Sequence, residues 1–209
     1  FCGGNKLARE RGHNTLIIDH RAHGMSDGRI ITFGIKESRD CVSWAEYARD
    51  RFGENIPVFL AGISMGAASV LMASGHNLPK NVKGIIADCP FSKPADIIKF
   101  SSMDMSLPGI VKALSVPFAT LGARLFGGFG LNSNSAEEAV LKARVPIMII
   151  HGENDKVVPH EMSKKVYEAN PSMVIWESFP EAGHGLSYIV DKERYKKLTN
   201  DFIDKCLEK

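Results

Sequence analysis

The chain has 209 residues, 44% of them hydrophobic and 24% charged, and its 26 basic and 24 acidic side chains leave a formal net charge of +2. That length and apolar content suit one domain around one core and exclude a disordered chain. So small a net charge excludes an electrostatic footprint for nucleic acid or an anionic membrane, so the expected partner is a small molecule.

Along the chain, short β-rich apolar runs alternate with amphipathic stretches. Strands are predicted at 14–19, 57–61, 83–88, 145–151 and 173–179, and their near-continuous apolar character, as in Ile147-Met148-Ile149-Ile150, fits burial on both faces. Helices are predicted at 5–11, 36–51, 65–74, 136–144, 160–169 and 191–207, with Gly12, Gly53 and Gly75 where helix C-caps belong. This alternation implies an α/β fold, a mostly parallel sheet with helices on both faces.

Residues 92–135 exceed what one crossover needs. They are apolar and sparsely charged, with Ile97, Phe100, Leu107, Ile110, Leu114, Phe118, Leu121 and Phe126 among them. The expected organisation is therefore a core of 1–91 and 136–209 with a small helical lid at 92–135, whose apolar underside faces a pocket. Phe118 and Leu121 are the lid residues expected to line it, together with Met25 of the core. Pro108 and Pro117 break the helical period here, and Lys112, Pro117 and Arg124 argue against a membrane span.

Gly62-Ile63-Ser64-Met65-Gly66 stands directly after a predicted strand and before a predicted helix. This G-x-S-x-G in a strand–turn–helix context is a nucleophile elbow. A serine thrust from so tight a turn needs small neighbours, a role expected of Gly62 and Gly66. The N–H of Met65, at a helix N-terminus, is placed to receive an oxyanion. A serine hydroxyl needs a base, and the base an orienting carboxylate. Two later loops offer them: His151-Gly152-Glu153-Asn154-Asp155-Lys156-Val157-Val158-Pro159, and Ala182-Gly183-His184-Gly185.

In these motifs the chain resembles the α/β-hydrolase superfamily, in particular small bacterial serine hydrolases with an H-G-x-x-D-x-x-V-P acid loop. The resemblance implies Ser64 as nucleophile, Asp155 as acid and His184 as base. Glu153 and Asp88 are rival acids. Asp19-His20-Arg21-Ala22-His23-Gly24-Met25-Ser26 is similar to the family's D-x-R-G-H-G-x-S box, with Ala22 in place of the usual glycine. That box implies scaffold roles for His20, Arg21 and His23, and no ligand cluster accompanies the two histidines. The family further implies an apolar amino-terminal strand ending in His-Gly, whose following residue gives the second oxyanion N–H. No residue here matches that strand, so upstream sequence is expected.

The expected function is acyl transfer on a carboxylic ester or thioester, with no metal or organic cofactor. A peptidase of the prolyl-oligopeptidase type and a non-catalytic binding protein of the same fold are the alternatives. A serine nucleophile sets the chain apart from haloalkane dehalogenases and epoxide hydrolases, which use Asp, and from dienelactone hydrolases, which use Cys. Cys2, Cys41, Cys89 and Cys206 show neither metal-ligand spacing nor a disulfide framework, which favours reduced thiols in a cytoplasmic protein without stable membrane association.

Overall fold

The computed structural model describes residues 2–104 and 109–208; Leu107 and Pro108 lie outside them. Four parallel strands form one sheet in the order β1-β2-β3-β4, comprising β1 (Val58–Ile63), β2 (Val82–Asp88), β3 (Ile147–Gly152) and β4 (Val174–Phe179). Each matches a predicted run to within a few residues.

Helices cover both faces. The first face carries α2 (Glu37–Phe52), α3 (Met65–Ala73), α6 (Ala136–Val140) and α7 (His160–Ala169); the second carries α1 (Cys2–Glu10), the short α8 (Ser187–Val190) and α9 (Lys192–Leu207). Alternation along β3 explains its unbroken apolar sequence. Ile147 and Ile149 enter the first core beside Leu71, Val140 and Val166, whereas Met148 and Ile150 enter the second beside Phe179, Tyr195 and Phe202. Burying each such side chain is worth about 1.5–3 kcal/mol. On the second face, α1 is pinned to α9 by Arg11 with Asp204 (2.5 Å) and Glu10 with Lys196 (3.0 Å).

The predicted strand at 14–19 does not form. The segment has no regular secondary structure and enters no ladder, and Leu16 and Ile17 are 46% and 64% exposed. An apolar run becomes a strand only by pairing, and among the described residues β1 pairs with β2 alone. Two smaller differences are local. Gly12 and Gly53 follow their helices at positive φ as expected, but Gly75 does not. Gly75 instead leaves room for α6, since a Cβ there would stand 3.0 Å from the Ala139 Cα. Helix α6, capped by the Ser135 hydroxyl accepting from the Glu138 N–H, ends at Val140 rather than at 144.

The described residues of the 92–135 insertion include α4 (Pro94–Asp104), α5 (Gly109–Gly122) and a π-helical turn (Ala123–Gly127). Its root is packed: Phe91 and Ile97 join Ala68 and Met72 of α3 and Val158. Helix α5 runs on through Pro117 and buries none of its residues. Contrary to the sequence argument, Lys112, Pro117 and Arg124 do not interrupt Gly109–Gly127, which is long and apolar enough by length and composition to cross a membrane.

Candidate active site

Ser64 occupies the sharp turn between β1 and α3 with φ +54° and ψ −118°, a strained backbone for a residue with a side chain. Its N–H donates to the Asp88 carbonyl at 2.8 Å, so the β1–β2 ladder holds the turn up to its apex. The steric demand falls on Gly62. A Cβ there would lie 2.3 Å from the Gly66 carbonyl carbon, whereas one on Gly66 would meet nothing within 4 Å, which corrects the expectation that both glycines are needed for space. Met65 opens α3, so its N–H belongs to the first turn, whose donors lack intrahelical acceptors.

The two later loops bring Asp155 and His184 to this turn. Gly152, the last residue of β3, makes their approach possible: a Cβ there would stand 2.2 Å from the Ala182 carbonyl oxygen. The loops are joined by N–H donation from Glu153 to the Phe179 carbonyl and from Asn154 to that of Ala182, each at 3.0 Å. His184 bridges the other two side chains. Its Nε2 lies 3.0 Å from Ser64 Oγ and its Nδ1 2.7 Å from Asp155 Oδ2. Asp155 Oδ1 accepts from the N–H groups of Val157 and Val158, both at 2.9 Å.

Asp155 is buried, which alone would raise its pKa, yet hydrogen bonds from His151, His184 and the backbone N–H groups of Val158 and Val157 outweigh burial and hold it well below the usual carboxylate range. It is an ionised acceptor at neutral pH, as an imidazole-orienting acid must be.

The rival acids are engaged elsewhere. Glu153 accepts from the Ser178 hydroxyl at 2.6 Å on the exposed side of its loop. Asp88 is buried; its Oδ2 accepts from the Tyr195 hydroxyl at 3.1 Å and its Oδ1 has no partner among the described residues. Burial pushes its pKa up to about 6.

The D-x-R-A-H-G-x-S segment is a braced loop. Arg21 forms a bidentate pair with Asp40 of α2, His23 Nδ1 lies 2.9 Å from the Arg21 carbonyl, and the Ser26 hydroxyl and Met25 N–H both bond to Asp19. Ala22 sits at φ +59°, which is why a glycine suits that position.

The three expected pocket residues lie at the surface: Met25 is 98%, Phe118 67% and Leu121 52% exposed. Cys89 Sγ, a carboxylate oxygen of Asp155 and a ring nitrogen of His184 lie within 4.8 Å of one another, the arrangement among the described residues that could offer donors to a metal ion. Two of these three groups already bond to each other, and burial pushes the Cys89 thiol pKa well up, opposing the thiolate that metal ligation requires.

Sequence reasoning missed two features of the site. One is the obligatory glycine at 152. The other is His151, whose Nε2 lies 3.2 Å from Asp155 Oδ2. Both stand in the H-G-x-x-D string, so the signal was present as identity but not as geometry.

A family model described as serine aminopeptidase, S33, matches residues 5–121 and 116–188. The chain is 26% identical over 199 residues to the uncharacterized protein YqkD of Bacillus subtilis, covering 95% of this chain and 64% of that one. It is 30% identical over 169 residues to human protein ABHD12B, covering 78% of this chain and 43% of that one. It therefore spans about half to two thirds of the length of these relatives. Among solved structures, the esterase Pf2001 of Pyrococcus furiosus superposes with a TM-score of 0.74 at 21% identity, over 98% of this chain and 73% of that one. This likeness shows a common α/β-hydrolase fold.

Proposed function

The chain belongs to the α/β-hydrolase family described as serine aminopeptidase, S33, and on that premise we propose that it is a serine hydrolase of carboxylic esters. The observation that carries the reading is the continuous line from Ser64 Oγ through His184 to Asp155, with contacts of 3.0 and 2.7 Å.

In this mechanism His184 Nε2 takes the Ser64 proton as Oγ attacks the acyl carbonyl. The imidazolium is held by Asp155, whose two oxygens are fixed by four donors. The Met65 N–H receives the oxyanion at the N-terminus of α3, where the helix dipole adds to the stabilisation. Collapse expels the alcohol, which takes the proton from His184 and leaves an acyl group on Ser64. Water, activated by the same imidazole, then releases the acid.

The apolar helices of the insertion favour an acyl chain over a peptide, and we assign 92–135 as a lid over that chain. A second reading, hydrolysis of aminoacyl amides, draws on the family's description. A fluorophosphonate probe and a substrate panel test both. Labelling of the wild type but not of Ser64→Ala, with turnover of esters above aminoacyl amides, is the expected result. Preference for amides selects the second reading, and absence of Ser64-dependent labelling overturns both.

A further inference from the structure

A carboxylate has about four acceptor sites, and in Asp155 a donor stands at each. The N–H groups of Val157 and Val158 fill Oδ1; His184 Nδ1 and His151 Nε2 fill Oδ2. Both the Asp155 and His151 side chains are fully buried, so solvent has no ready route to replace a missing donor.

The ring of His151 has a defined polarity. Its Nε2 faces two acceptors, Asp155 Oδ2 at 3.2 Å and the Val158 carbonyl at 3.0 Å, so that nitrogen must carry a proton. Its Nδ1 faces the Ser163 hydroxyl at 2.8 Å. Ser163 Oγ in turn accepts from the Trp176 Nε1–H at 2.9 Å and lies 2.9 Å from the His160 carbonyl. The single proton of Ser163 can point to Nδ1, leaving His151 neutral, or to the carbonyl, with Nδ1 then donating. Either arrangement leaves Nε2–H shared between Asp155 Oδ2 and the Val158 carbonyl.

We propose that His151 is a positioning residue of the triad: its Nε2–H locks the Asp155 carboxylate in the orientation that presents Oδ2 to His184. The inference rests on the serine-hydrolase reading for its effect on turnover. His151 belongs to β3, Ser163 to α7 and Trp176 to β4, so the orientation of the acid is keyed to the docking of three elements behind it. Removing the donor leaves a buried acceptor site empty and lets the carboxylate turn, which misaligns the imidazole rather than the substrate. The loss therefore falls on kcat and not on KM.

The test compares His151→Phe, which fills the space without a donor, with His151→Gln, whose amide reaches the same acceptors. With p-nitrophenyl acetate, His151→Phe should lower kcat on the order of 10- to 100-fold at constant KM, and His151→Gln should recover most of that loss. In an Asp155→Asn background His151→Phe should add little, whereas a merely structural role would cost the same in both backgrounds.

Independently of turnover and of any variant's folding, the imidazole nitrogen NMR spectrum of the wild-type protein should show His151 Nε2 protonated. A deprotonated Nε2, or equal losses in the two backgrounds, overturns the proposal. Ser64-dependent turnover with unchanged kcat in folded His151→Phe also overturns it while leaving the hydrolase reading intact. A protonated His151 Nε2, with a low-field His184 Nδ1–H signal lost in His151→Phe but kept in His151→Gln, in a protein without Ser64-dependent turnover sustains the positioning role and removes the hydrolase reading.

Discussion

Gly62 lies against the peptide of Gly66 so closely that a methyl group on Gly62 would come within 2.3 Å of the Gly66 carbonyl carbon and 2.7 Å of the Ala67 nitrogen. Backbone on both sides of the contact leaves nothing flexible to yield. Gly62→Ala should therefore distort the elbow and destabilise the fold by about 2–4 kcal/mol, with loss of Ser64 labelling. Gly66→Ala, whose Cβ meets open space, should stay within about 1 kcal/mol of wild type. Thermal unfolding of the two variants checks the contrast.

For the triad, Ser64→Ala and His184→Ala should each remove nearly all turnover, and the double variant should be little worse, because the residues act as a unit. Asp155→Asn should stay folded and lose on the order of 10⁴-fold in kcat through the wrong imidazole tautomer. Asp88→Asn should keep most of its rate. The reverse pattern would move the acid from β3 to β2.

Asp88 also sets a pH dependence of stability. Its pKa is 3.8 when unfolded and is pushed up to about 6 when folded, because burial opposes its charge. The folded state thus binds this proton more tightly. The resulting stabilisation is complete below the unfolded value and is lost as pH rises through about 6, a difference of about 3 kcal/mol. Asp88→Asn should accordingly raise the melting temperature at pH 8 and leave it nearly unchanged at pH 4. Equal shifts at both values would show that the carboxylate is not the cause.

Ala22 holds a left-handed backbone that costs a non-glycine residue about 1–2 kcal/mol. Glycine removes that strain but adds about 0.4–1 kcal/mol of unfolded-state entropy. Ala22→Gly should gain about 0.5–1 kcal/mol on balance, visible as a higher denaturant midpoint at unchanged slope.

The lid assignment has its own test. Phe118 and Leu121 are exposed, so replacing either by Asp sacrifices little burial and should leave unfolding unchanged. If the insertion meets the acyl chain, KM should rise for medium-chain esters and not for acetyl esters. Equal effects on both would make 92–135 a structural layer.

Sequence pattern located most of this architecture because four apolar runs, each tied to amphipathic helices, admit few arrangements, although only β3 is buried throughout. The 14–19 run failed for a reason pattern cannot supply: Leu16-Ile17-Ile18 has the composition of a buried strand, but pairing depends on a neighbour that composition does not name. Likewise the meeting of Ser64, Asp155 and His184 is legible because each stands in a motif at a strand end. Phe118 and Leu121 stand out by apolarity alone, and apolarity does not say which way a surface helix turns its side chains. His151 was in view as a letter of the acid loop, yet its contact with Asp155 depends on Ser163 and Trp176, separated from it by 12 and 25 positions in the chain.

The order β1-β2-β3-β4 matches the order of synthesis, so each strand can add to an edge already made. The triad is distributed along that growth. Ser64 follows β1, Asp155 follows β3 and His184 follows β4. On the proposed mechanism a partly assembled sheet would therefore display Ser64 without its base, and hydrolytic capacity would arrive only with β4. Recovery of Ser64 reactivity during refolding would then time the addition of β4, making the chemistry a clock for the fold.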